Sequence, residues 1–150
     1  MSNKIRELTL LDINIQNEDG ITSLIAASYN CDLKAVRELI KLGANINHQD
    51  RCGCTALMRA SEFGFTEIVK ELIKAGANVN IRSNYDTTAL MIASAVGSED
   101  IALLLIEAGA NVNIRDNLER TALDIAEEYN LPKIIKILKV ITNRENEIIF

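Results

Sequence analysis

The sequence predicts an all-α solenoid: helix–turn–helix units stacked in a row and joined by β-hairpin-like finger loops. Three observations predict it. Thr22, Thr55, Thr88 and Thr121, each suited to capping a helix, stand 33 residues apart. Leu24, Leu57, Leu90 and Leu123 keep that step, as do Ala27, Ala60, Ala93 and Ala126. One phrase closes the first three units: "KLGANINHQ" from Lys41, "KAGANVNIR" from Lys74 and "EAGANVNIR" from Glu107. It sets Gly43, Gly76 and Gly109, and Asn47, Asn80 and Asn113, in register. A fixed period of this size marks a repeat array, whose units are too small to hide their own apolar faces and must stack.

In chain order, residues 1–16 read as a partial amino-terminal capping unit, because the head ends in "DINIQN", like the tail of a repeat. A remnant helix and an exit strand are expected there. Four units follow, 17–49, 50–82, 83–115 and 116–142, and then a tail, 143–150. The second unit shows the grammar most clearly. Thr55 is placed to cap the first orphan amides of a helix that begins at Ala56. Leu57, Ala60 and Ser61 then share one side, and the small Ala60 lets the next helix approach closely. The second helix, within 65–76, carries Ile68, Val69, Leu72 and Ile73 as its buried stripe. Glu67 with Lys70, and Glu71 with Lys74, are spaced to pair on its wet side.

Gly76 ends that helix, since glycine takes the left-handed conformation without a side-chain clash. "ANVNIRSNYD" leads out, extended and polar, to the next capping threonine. In the fourth unit Lys139 stands where Ile40, Ile73 and Ile106 face a following unit, so it reads as a capping charge. The tail is polar and then apolar, and Ile148 to Phe150 are expected to fold back, fray or touch a partner.

The four lines "GITSLIAAS", "GCTALMRAS", "DTTALMIAS" and "ERTALDIAE", with "GANIN", "GANVN" and "GANVN" closing three of them, resemble the ankyrin repeat over residues 17 to 142. Several positions depart from that pattern. The motif histidine is Ile25, Met58, Met91 and Asp124, so the family's Thr–His side-chain bond is absent from every unit. Asp124 is placed instead to close a capping-box pair with Thr121. Cys31 and Asn130 replace the glycine before the second helix, and Asp86 and Glu119 replace the finger glycine. Local adjustment is expected there, not a different fold. The resemblance also raises hydroxylation of Asn47, Asn80 or Asn113, which a cytosolic dioxygenase performs on eukaryotic members. The favoured reading is that these amides tie the loop's backbone polar groups together.

Composition narrows the function. The net charge is −5 and the pI is near 4.9, which favours neither nucleic acid nor an acidic membrane surface as partner. No apolar run reaches the roughly 20 residues of a membrane span, and no signal peptide is apparent. Three cysteines cannot all pair, which fits a reducing compartment; a cytoplasmic monomer is expected, inside a host cell if the protein is an effector. One histidine, His48, offers little for a nucleophile–base–orienter arrangement, and no phosphate-cradling glycine loop is present, so no enzyme and no cofactor are expected. His48, Cys52, Cys54 and Cys31 raise a metal site, but the spacing is not that of a zinc ribbon, and ordinary finger substitution is preferred.

By the family resemblance, partners dock on the concave side, formed by finger tips and the exposed residues of the first helices. The positions that transfer in the first two units are Tyr29, Arg51, Cys52, Cys54, Glu62 and Phe63. In the later units they are Arg82, Tyr85, Val96, Arg115, Leu118, Arg120 and Tyr129. All three tyrosines of the chain fall on that set, although aromatics make up only 4% of it. Tyr and Arg are frequent anchors of protein interfaces. The resemblance therefore implies a protein-binding module whose partner is another protein, with a microbial or viral effector as one setting. The alternative is a scaffolding fragment of a longer array with no binding role of its own.

Overall fold

Four helix pairs follow one another along the chain. The computed structural model describes residues 13–148, with side chains to 144. The first helices are α1 (Ser23–Tyr29), α3 (Ala56–Glu62), α5 (Ala89–Val96) and α7 (Ala122–Glu128). The second helices are α2 (Leu33–Lys41), α4 (Thr66–Lys74), α6 (Glu99–Glu107) and α8 (Pro132–Ile148). Each first helix packs on its own second helix and on the first helix of the unit beside it, and the second helices form a parallel row behind. The repeat array is thus an all-α solenoid. Its fingers are hairpin-like in path but closed as tight turns; the described residues hold no strand, only a single antiparallel bridge between Gln16 and Thr22.

The first helices, seven or eight residues long, are too short to stand alone in water. Caps and packing hold them. Thr22, Thr55, Thr88 and Thr121 each accept from the amide three residues on, at 3.2–3.4 Å. Where the family pattern has histidine, two units close the cap differently. Asp124 Oδ2 accepts from the Thr121 amide and hydroxyl at 2.7 Å, while Met91 Sδ lies 3.5 Å from the Thr88 amide. Leu24, Leu57 and Leu90 are fully buried between units, and Ala60, Ala93 and Ala126 let adjacent helices meet closely. Leu123 is only partly covered, because no further unit stacks on the fourth among the described residues.

Ile68, Val69 and Leu72 form the buried stripe of α4, with Ile73 half-buried at its edge. Glu67 does pair with Lys70, at 2.7 Å. Glu71 turns away from Lys74 and takes Arg37 of the preceding unit at 2.8 Å, so its charge joins units instead of decorating one helix. Lys133 and Glu99 join the last two units in the same way, at 3.1 Å.

The asparagine ladder is the other inter-unit tie. Asn14, Asn47 and Asn80 each accept, through Oδ1, the backbone amide of the residue 31 positions on, at 2.7–2.8 Å. Asn80 Nδ2 also donates to the Gly109 carbonyl at 3.1 Å. For Asn47 and Asn80 the geometry shows the loop-tying role expected of these amides.

At the carboxyl end α8 runs to Ile148, past the boundary expected at residue 142. The cause is local. Thr142 occupies the column of Gly43, Gly76 and Gly109, so the left-handed stop is missing, and its hydroxyl donates to the Leu138 carbonyl instead. Lys139, in the capping position, is exposed and paired with Glu127 at 2.8 Å. Of the expected head, residues 1–12 lie outside the described residues, as do 149–150 of the tail.

Candidate functional site

The fingers form one continuous platform. In each, a short polar side chain at the base gathers the turn. Asn17, Asp50 and Asp116 Oδ1 each accept two turn amides at 2.9 Å, and Ser83 Oγ accepts its two at 3.2 and 3.3 Å. Successive tips are linked by single backbone bonds: Arg51 to Asp19 O, Asn84 to Cys52 O and Asn117 to Tyr85 O, at 2.8–3.2 Å. Gly53 is where this stacking is tightest. A Cβ there would meet Asn84 backbone and side-chain atoms at 2.7 Å, and its φ is +76°.

Behind the platform lie two ionic triads. In the second unit, Arg59 donates to Asp50 Oδ2 at 2.7 Å and to Glu62 Oε2 at 3.3 Å. In the fourth, Arg120 donates through Nε and Nη2 to Asp116 Oδ2, at 3.0 and 2.9 Å, and through Nη1 to Glu128 Oε2 at 2.6 Å. Both aspartate side chains are 3% exposed, so each depends on its arginine and turn amides for compensation. Burial, the largest single influence on Asp116, pushes its carboxyl up. The amide and guanidinium of Arg120, with the Leu118 amide, outweigh it and hold the group below the ordinary aspartate value. Burial likewise opposes the Arg59 charge, yet the Asp50 bond leads the influences that raise that guanidinium above its ordinary value.

The third unit breaks the pattern. Where its neighbours place Asp50 and Asp116, it has Ser83; where they place Glu62 and Glu128, it has Ala95; and in the Arg59 column it has Ile92. A cleft of about 340 Å³ opens there. Ser83, Tyr85, Thr87, Ile92, Ala95 and Val96 line its middle, Cys54, Arg59 and Glu62 one flank, and Asp116, Arg120, Ile125 and Tyr129 the other. The result is an apolar floor between two charged shoulders.

Of the residues expected at the site, this cleft gathers Cys54, Glu62, Tyr85, Val96, Arg120 and Tyr129. The others lie outside it. Tyr29 and Phe63 form an edge-to-face pair with centroids 4.9 Å apart, and Phe63 stacks on Phe65 at 5.8 Å. Tyr29 and Phe63 stay about half exposed, whereas Phe65 packs against the core. Arg51 and Cys52 sit on an exposed finger tip, as does Leu118, which is 65% exposed. Arg82 donates to the Arg115 carbonyl at 2.9 Å, and Arg115 to the Glu119 carbonyl, so both brace fingers.

Arg59, Ile92 and Asp116, which line the cleft, and Asp50, which holds Arg59, are residues that the sequence reading passed over. The signal was present, in columns 33 residues apart where unlike residues alternate: Asp50–Ser83–Asp116 and Glu62–Ala95–Glu128. His48 Nε2 donates to the Gly20 carbonyl at 3.0 Å, and burial pushes the Cys54 thiol up. Among the described residues, no three His, Cys, Asp or Glu side chains stand together as metal ligands would. Nor is any helix among them long and apolar enough to cross a membrane.

Comparison with known families agrees with this architecture. A family profile described as "Ankyrin repeats (3 copies)" matches residues 2–83, and one described as "Ankyrin repeats (many copies)" matches residues 72–126. No curated protein matches the chain.

Proposed function

The chain belongs to the ankyrin repeat family, whose members generally serve as non-enzymatic protein–protein interaction modules, and from that premise we propose that it binds a protein partner through the face of its fingers and first helices. One observation carries this reading. The cleft of the third unit presents apolar and aromatic side chains that the stacking core does not consume: Tyr85 is 64% exposed and Val96 49%. Large side chains on a platform braced by backbone and side-chain bonds lose little entropy on docking, the condition under which a modest area binds well.

The test separates this face from the aromatic cluster next to it. Tyr85→Ala with Val96→Ser is expected to abolish capture of the protein's partner while leaving the melting temperature within a few degrees of wild type. Phe63→Ala is expected to do the reverse. It breaks an edge-to-face pair and should cost about 1 kcal/mol in a thermal melt, with capture retained. Capture that survives the first variant and disappears with the second would move the site to the amino-terminal cluster.

A further inference from the structure

We propose that the partner presents an extended segment with one aliphatic side chain at its centre and a lysine or arginine on either side of it. This rests on the reading that the finger-and-helix face is the docking surface, and it specifies the chemistry that face selects. The centre follows from the third unit. Its Ile92, Ala95 and Val96 make an uncharged floor in a cleft of about 340 Å³, large enough for one aliphatic side chain and its backbone.

The flanks follow from the triads. Each sets two carboxylates against one guanidinium: Asp50 and Glu62 against Arg59, and Asp116 and Glu128 against Arg120. Both shoulders are therefore net acidic, in a chain whose overall charge is −5. The aspartates are sealed at 3% exposure, whereas the Glu62 and Glu128 side chains are 44% and 53% exposed. Each glutamate meets its arginine through Oε2, so its half-exposed side chain keeps a second carboxylate oxygen, Oε1, for another cation. The column Glu62–Ala95–Glu128 thus reads acid, gap, acid across three units.

Spacing completes the description. Neighbouring helices pack about 10 Å apart, so the two glutamates are separated by about 20 Å, and an extended chain covers that in about six residues. The basic residues of the partner are then about six apart, with the aliphatic residue midway. An anionic segment, the alternative that Arg59 and Arg120 would suggest in isolation, finds both guanidinium groups already occupied.

A randomised peptide display selection against the full chain tests this, with enriched peptides remeasured by fluorescence polarisation at low and high salt. Enriched sequences are expected to carry an aliphatic residue bracketed by Lys or Arg. Their affinity should fall roughly tenfold against Glu62→Gln with Glu128→Gln, and fall with salt. Ala95→Glu, which fills the gap with a charge at a half-buried helix position, should abolish binding with the fold intact by circular dichroism. Enriched peptides that are acidic or uncharged, yet still need Tyr85 and Val96, would overturn this proposal and leave the docking face standing. Peptides indifferent to Tyr85 and Val96 would overturn both.

Discussion

At the scale of single residues, the left-handed positions are the most instructive. Cys31, Asp86, Glu119 and Asn130 take φ of +55 to +61° where the family pattern has glycine. An L-residue there costs about 1 kcal/mol or more, so these four are tolerated strain, not preference. Cys31 is exposed and makes no side-chain bond among the described residues, so nothing offsets its cost. Cys31→Gly is expected to raise stability by about 1 kcal/mol in urea unfolding. Gly53→Ala should lower it by more than that, because the added methyl meets Asn84 at 2.7 Å as well as a positive φ. Equal and opposite effects would mean that finger stacking contributes little beyond the backbone dihedral.

At the scale of the element, short helices are decided at their ends. α7 shows this most clearly, with Thr121 and Asp124 each satisfying the other's end of the turn. The Thr121 amide, and then its hydroxyl, hold the Asp124 carboxyl below the ordinary aspartate value of 3.8. Asp116 at the adjoining finger is lowered too. A carboxyl depressed on folding contributes stability that is complete above its unfolded value and is lost as pH falls through the folded one. The protein should therefore lose stability steeply below about pH 4. Asp116→Asn with Asp124→Asn should be less stable at neutral pH and flatter across that window, as thermal melts at pH 7, 4 and 3 will show. Parallel curves for the two proteins would remove these carboxylates from the acid transition.

At the scale of the molecule, stability is a chain of nearest-neighbour terms, and the asparagine ladder is one of them. Asn80 is a doubly bonded rung, holding both the Asn111 amide and the Gly109 carbonyl. Asn80→Ala is expected to cost about 1–2 kcal/mol. Amide exchange should quicken at Asn111 and its neighbours while the first unit stays protected. Uniform loss of protection along the chain would instead mean that the units unfold as one, with no weak joint at that rung.

Much of this was legible from the residues. A period of 33, capping threonines, closing glycines and apolar stripes are local facts, and local facts repeated in register are enough to specify a stack. That Asp124 would stand in for a capping histidine could be read from its position three residues after Thr121. Glu67 with Lys70 could be read from their spacing, but the folded molecule alone revealed how the arginines pair. Arg59 comes from a helix and Arg120 from a finger, in unrelated columns, yet both reach a buried aspartate and an exposed glutamate. Long side chains pair by distance in space, and period in the sequence carries no record of it. For the same reason Glu71 turned to Arg37; the gap in the third unit is written in its columns, as Ser83 and Ala95, but the cleft it opens depends on what the neighbouring units leave within reach.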